Sequence, residues 1–175
     1  MKLADLCKPI RLILSDVDGV LTDGGIVFDN QGIETKQFHI RDGLGIKLWQ
    51  RAGGQFGLVT GRSSHVVQVR ASELGIDLVR QGFEDKLPAV LELLAERNQP
   101  PEEVCYIGDD LPDLAVIQRV GLGVAVADAC KEVRDVADYV TEAAGGRGAV
   151  RELVELILKT QGAWDDVVAK YAGIQ

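Results

Sequence analysis

Short apolar runs and helical patterns alternate along this 175-residue chain, and that alternation leaves few folds open. Residues 11–15 (RLILS), 55–60 (QFGLVT), 77–80, 104–108 (VCYIG) and 122–126 (LGVAV) read as strands. Nearly continuous apolar runs of that length suit strands covered on both faces. Helical patterns occupy 44–52, 63–74, 86–97, 112–120, 131–136 and 149–161, and Gly53, Gly75, Gly121 and Gly162 stand where C-terminal stops belong. The expectation is an α/β fold, a Rossmann-like parallel sheet flanked by helices on both faces. The length suits a single domain over 1–175, and no linker, repeat or low-complexity stretch divides it.

One segment breaks the pattern. Residues 25–40 alternate with period two on either side of Asp29-Asn30-Gln31-Gly32, which predicts a β-hairpin inserted after the first strand. The second arm, residues 34–39, is polar for burial on two sides and also suits a solvated ribbon; two strands alone are marginal, so the ribbon is expected to pair with copies of itself in an oligomer. Residues 162–175 read as a C-terminal tail.

Charge narrows the partners. The formal charge is −8, which disfavours nucleic acid and anionic membranes, since both need Lys and Arg to displace counterions. A small anion in one locally basic pocket stays open. Cys7, Cys105 and Cys130 are isolated and fit reduced intracellular thiols. Residues 1–9 do not resemble a signal peptide, and no run approaches the roughly 18 apolar residues of a membrane span. A cytoplasmic protein is expected.

Four short pieces carry chemistry. Asp16-Val17-Asp18-Gly19 puts two acids where a buried strand gives way to a tight turn. Thr60-Gly61-Arg62 ends the second strand, where a hydroxyl and neighbouring N–H groups suit a phosphate oxygen, although the same residues also suit a plain helix start. Lys86 opens a predicted helix, where a cation opposes the macrodipole unless an anion faces it. Gly108-Asp109-Asp110-Leu111-Pro112-Asp113 follows another strand; clustered carboxylates there repel one another unless a cation neutralises them. Oxygen ligands without His or Cys select magnesium over zinc. Asp113 is equally suited to a site role or to an ordinary first-turn position.

The order D-x-D, Thr, Lys, G-D-D-x-x-D resembles the haloacid dehalogenase superfamily of phosphohydrolases, from the first strand to Asp113. The resemblance implies Asp16 as nucleophile and Asp18 as general acid and then base. It implies Mg²⁺ held by Asp16, the Asp18 backbone carbonyl and Asp109. Thr60 and Lys86 would hold the transferring phosphoryl oxygens, with Asp110 in support. Only the hairpin follows Asp18, and one helix and one strand separate Thr60 from Lys86, so no cap domain is expected.

The rest of the chain is similar to the 3-deoxy-D-manno-octulosonate 8-phosphate phosphatase family. Residues 16–24, 38–46, Arg70-Ala71, 74–76, Gln81-Gly82, Asp85-Lys86 and 145–152 (GGRGAVRE) carry that likeness. It implies a small phosphorylated sugar acid as substrate, a role in making lipopolysaccharide precursors, and a homotetramer in which neighbouring subunits cover each site. Relatives acting on nine-carbon sialic-type sugar phosphates tend to carry Glu after Thr-Gly, where Arg62 stands. Arg62, Gly61, Arg70, Arg147 and Arg151 are the candidate substrate-binding residues, the arginines because a guanidinium fork suits a carboxylate. Arg70 also suits an exposed helix face, and residues 145–148 a plain connecting loop; with two arginines near its glycines, that loop reads equally as an anion nest. Asp42 reads as the N-cap of the helix beginning at 44, His39 as a hairpin contact and His65 as a solvated helix residue. A signalling receiver domain also uses acids, a Thr and a Lys, but lacks D-x-D on its first strand. A capless protein phosphatase acting on a phosphopeptide is compatible with the acidic surface and the compact hairpin. A catalytically silent oligomeric scaffold is opposed by intact Asp16, Asp18, Thr60, Lys86 and Asp109.

Overall fold

The structure, a computed structural model, describes residues 2–173. Its strands are β1 (Leu12–Ser15), β2 (Val27–Phe28), β3 (Glu34–Thr35), β4 (Gln55–Thr60), β5 (Leu78–Gln81), β6 (Val104–Gly108), β7 (Leu122–Ala125) and β8 (Tyr139–Val140). Its helices are α1 (Leu3–Cys7), α2 (Ile40–Arg51), α3 (His65–Leu74), α4 (Lys86–Glu96), α5 (Leu111–Ile117), α6 (Lys131–Val136), α7 (Ala149–Thr160) and α8 (Trp164–Ala172). Six strands form one parallel sheet in the order β5-β4-β1-β6-β7-β8. Every residue of β1, β6 and β7 is buried, as strands covered on both faces require. Helix α2 packs on α7 beside α1 and α8, while α4, α5 and α6 pack in succession. Cys7 and Cys105 are buried within this core. Among the described residues, no helix is long and apolar enough to cross a membrane.

The predicted hairpin forms, with Val27 opposite Thr35, Phe28 opposite Glu34, and Gly32 in the left-handed turn position at φ +77°. Asp29 Oδ1 closes the turn by accepting from the backbone N–H groups of Gln31 and Ile33, each at 2.8 Å. Nothing larger intervenes between β1 and α2, and only α3 and β5 lie between Thr60 and Lys86.

Local patterning misleads at α2. The helix begins at Ile40, four residues before the expected start, and runs through Gly43 and Gly45. Those glycines mark close approach: a Cβ on Gly45 would sit 3.0 Å from Arg151 Cα, and one on Gly43 2.4 Å from an Arg70 guanidinium nitrogen. Asp42 is therefore not the N-cap of α2. It lies inside that helix, buried, and accepts from the backbone N–H groups of Gly148 at 3.2 Å and Arg151 at 2.8 Å, satisfying the start of α7 instead. Burial raises its carboxyl pKa, with these backbone donors opposing.

The short elements α1, β8 and α8 add to those expected from the sequence. Most of the segment taken as a tail is α8, which Trp164 and Val167 dock against the core; residues 174–175 lie outside the described residues. Arg151 and Lys159 lie over the Trp164 ring, and Arg51 Nη1 donates to the Tyr171 hydroxyl at 2.8 Å.

Candidate active site

Asp16 follows β1, Thr60 ends β4 and Asp109 follows β6, and these three strands are neighbours in near-level register. Their carboxyl ends open into one depression of about 520 Å³ beside β1, where the strand order switches from β4 and β5 on one side to β6 and β7 on the other. Asp16, Asp18, Thr60, Gly61, Arg62, Lys86, Asp109, Asp110 and Asp113 all line it. The three remaining candidate arginines do not. Arg70 pairs with Glu73 at 2.8 Å and lies over the Phe38 ring, Arg147 is exposed 3.6 Å from Asp23, and Arg151 Nε donates to Glu155 at 2.7 Å.

Lys86 is at the first position of α4, buried, with Nζ 2.8 Å from Asp16 Oδ1 and 2.7 Å from Asp113 Oδ1. The anion that faces its helix N-terminus is thus, in the first instance, the protein's own. Burial acts to lower the Lys86 pKa, but Asp16 and Asp113 outweigh it and the net direction is upward. Asp113 is both of the things its sequence allowed. It is the third residue of α5 in a reciprocal capping box with Asp110, whose side chain accepts from Leu111 N–H. Fully buried, it also takes Lys86 and the Tyr106 hydroxyl on Oδ1, at 2.7 and 2.6 Å. Its Oδ2 accepts from the backbone N–H groups of Asp109 at 3.0 Å and Asp110 at 3.3 Å.

One carboxylate oxygen from each of Asp16, Asp109 and Asp113 falls within 4.8 Å of the others. Both oxygens of Asp113 are already occupied, so it fixes the lysine rather than a metal. Asp109 Oδ1 is buried without any partner, an arrangement that costs free energy unless something fills it. Burial, then the charges of Asp16 and Asp113, push Asp109 up to about 8; burial, then Asp113, push Asp16 to about 6 despite Lys86. Two acids this reluctant to ionise side by side, with only oxygen donors around them, fit a hard divalent cation. Gly19 makes room for the pair: it sits at φ +93°, and a Cβ there would lie 2.1 Å from an Asp109 carboxylate oxygen.

The hairpin supplies two side chains that the sequence patterns did not single out. Lys36 Nζ pairs with Asp18 Oδ1 and lies 3.4 Å from Glu34 Oε1. Glu34 accepts from Ser64 Oγ at 2.6 Å and Arg62 Nη2 at 2.8 Å, and those two contacts, with Ser64 first, hold its carboxyl below the ordinary range. The available signal was their spacing, since residues two apart on an extended arm share a side. The arm's polarity suited a solvated ribbon as well as a site role.

Comparison with known proteins gives a consistent result. A family model described as haloacid dehalogenase-like hydrolase matches residues 69–153. The chain is 48% identical over 157 residues to the 3-deoxy-D-manno-octulosonate 8-phosphate phosphatase KdsC of Escherichia coli K12, covering 90% of this chain and 84% of that one. Its identity to the Yersinia pestis protein of the same name is 50% over 152 residues, 87% and 81% of the two chains. Among solved structures, the Moraxella catarrhalis phosphatase of that name, in complex with magnesium, phosphate and KDO, matches with TM-score 0.94 at 43% identity, covering 96% of this chain and 97% of that one. A cobalt-bound Haemophilus influenzae counterpart matches with TM-score 0.87 at 40% identity, covering 90% and 92%.

Proposed function

The chain belongs to the haloacid dehalogenase-like hydrolases, in the 3-deoxy-D-manno-octulosonate 8-phosphate phosphatase family, and from that premise we propose that it hydrolyses this phosphomonoester to the free sugar acid and phosphate. The observation that carries the proposal is the buried Asp16–Lys86 contact of 2.8 Å beside the unpartnered Asp109 oxygen: a nucleophile, a fixed cation and a place for a metal at one point.

In this reading the Asp16 carboxylate attacks phosphorus as the bond to the sugar oxygen breaks, and Asp18 gives its proton to that oxygen. A water, surrendering a proton to Asp18, then attacks the phosphorus of the aspartyl phosphate; the bond to Asp16 breaks and phosphate leaves. Splitting the reaction this way replaces one difficult displacement with two easier ones. Lys86 holds phosphoryl oxygens at the start of α4, Thr60 offers its hydroxyl, and Asp110 caps α5 to keep Asp113 and hence Lys86 in place. Asp16, Asp109 and the Asp18 backbone carbonyl would hold Mg²⁺, which lowers the repulsion between two anions brought together. Arg62, fixed at the mouth by Glu34, and Gly61 would face the sugar. A role in lipopolysaccharide precursor synthesis in the cytoplasm follows from that substrate.

Assembly belongs to the same reading. Ile26, Val27, Phe28 and Ile33 are more than half exposed on a ribbon of two-residue strands, which suits burial against the hairpins of other copies in a homotetramer. Arg70 and Arg147, outside their own depression, would then be available to a neighbour's substrate carboxylate. Solution mass by light scattering tests the assembly.

The substrate is tested by phosphate release with magnesium from the octulosonate 8-phosphate, a nine-carbon sugar-acid 9-phosphate and a phosphopeptide. Clear preference for the first is expected; equal, poor rates on all three would sink the assignment. The site's protonation gives a second test. The folded-state pKa values of Asp16 and Asp109 lie above the ordinary 3.8, so the metal-free fold loses stability as pH rises from about 4 towards 8. A cation must displace those protons, so the thermal shift produced by Mg²⁺ is expected to grow between about pH 5.5 and about pH 8. A shift independent of pH would contradict the ligand set.

A further inference from the structure

Lys36 is out of character for its surroundings. The ribbon around it is largely solvated, yet its side chain is only 1% exposed and reaches back to Asp18. A lysine gives up hydration and rotamer freedom to sit this way, and it is doubly anchored, by Asp18 Oδ1 and by Glu34. Glu34 is in turn clamped by Ser64 and Arg62 from the segment after β4. The second oxygen of Asp18, Oδ2, is buried and has no hydrogen-bond partner, with Arg62 Nε still 3.9 Å away.

An aspartate's last torsion is broad, so the catalytic loop fixes where the Asp18 carboxyl is but not which way its plane faces. A cation on one oxygen settles that. We propose that Lys36 is a positioning residue for proton transfer: by holding Asp18 Oδ1 it turns Oδ2 towards the oxygen that leaves phosphorus. The inference rests on Asp18 acting as general acid. In that step the O–H bond of Asp18 breaks, its proton passes to the sugar oxygen, and that oxygen keeps the electron pair of its broken bond to phosphorus.

The test grades leaving groups. Across alkyl and aryl phosphomonoesters, kcat/KM reports events through transfer to Asp16 and excludes the later hydrolysis. A phenolate such as p-nitrophenolate departs with little need of a proton, whereas an alkoxide needs one. Lys36→Met is expected to cut kcat/KM on simple alkyl phosphates at least about tenfold further than on p-nitrophenyl phosphate, a fraction of what general acid catalysis contributes. Lys36→Arg should recover part of that ratio. Glu34→Gln should shift it the same way by less, so the outcome survives a Lys36→Met protein that fails to fold. Equal losses across leaving groups, or a loss confined to the sugar acid whatever its leaving group, would overturn the positioning role. Wild-type protein that releases phosphate from no monoester would instead overturn the reaction on which it rests.

Discussion

Replacing Asp16 with Asn is expected to abolish phosphate release, by roughly 10⁴-fold or more, while the metal-free protein melts no lower than wild type. The loss follows because an amide has no anionic oxygen to form the phosphoryl bond; of the neighbouring carboxylates, Asp113 has both oxygens occupied, Asp18 is held at Oδ1 by Lys36, and Asp109 is the one expected to take the metal. The stability expectation comes from the raised pKa of Asp16. A carboxyl whose folded value exceeds its ordinary one contributes stability that fades as pH climbs past the ordinary value, so at pH 7 the wild type carries the whole cost of a buried charge. Asn carries none, and Lys86 keeps Asp113 as its partner at 2.7 Å. A melting temperature higher by about 2–6 °C is anticipated for a chain of this size. Phosphate assay and thermal unfolding on the same preparation decide the matter. A variant that loses activity only because it loses its fold would show Asp16 to be a structural residue, and one that keeps turnover would remove the covalent route.

Such a trade of stability for chemistry also explains which parts of the molecule could be read from sequence. Strand ends were legible because burial on both faces writes an uninterrupted apolar run, and the acids following 11–15 and 104–108 break that run at the sheet's carboxyl edge. The hairpin was legible because Gly32 and Asp29 set its turn locally. Asp42 was not, since its partners are the N–H groups of Gly148 and Arg151, more than a hundred residues away. Nor was the reason for Gly43 and Gly45, whose missing side chains make room for Arg70 and for Arg151 of α7. The arginines suited to a substrate carboxylate divide on the same line. Arg62 adjoins a strand end and reaches the depression, while Arg70, Arg147 and Arg151, which suit a carboxylate by charge alone, lie elsewhere.

Lys86→Met is expected to damage fold and activity together, the reverse of the Asp16 outcome, because it removes the ammonium that two buried acids share. Nζ is the shared partner of Asp16 and Asp113, and one oxygen from each of these and of Asp109 falls within a 4.8 Å group. Removing one member of a buried pair leaves an uncompensated charge, which costs about 3–5 kcal/mol. For a chain of this length that corresponds to a melting temperature lower by roughly 6–20 °C. Magnesium should restore part of the loss, since it would neutralise Asp16 and Asp109, but not the share owed to Asp113, whose oxygens face Tyr106 and two backbone N–H groups. Activity should stay depressed by about 10²–10³-fold even at saturating metal, because a preorganised donor aimed at the phosphoryl oxygens is missing. The double variant Lys86→Met with Asp113→Asn separates the two effects. It should recover melting temperature by removing the orphaned carboxylate while leaving turnover as poor as in the single variant. Recovery of turnover along with stability would mean that Lys86 serves only to hold the acids apart and never touches the phosphate.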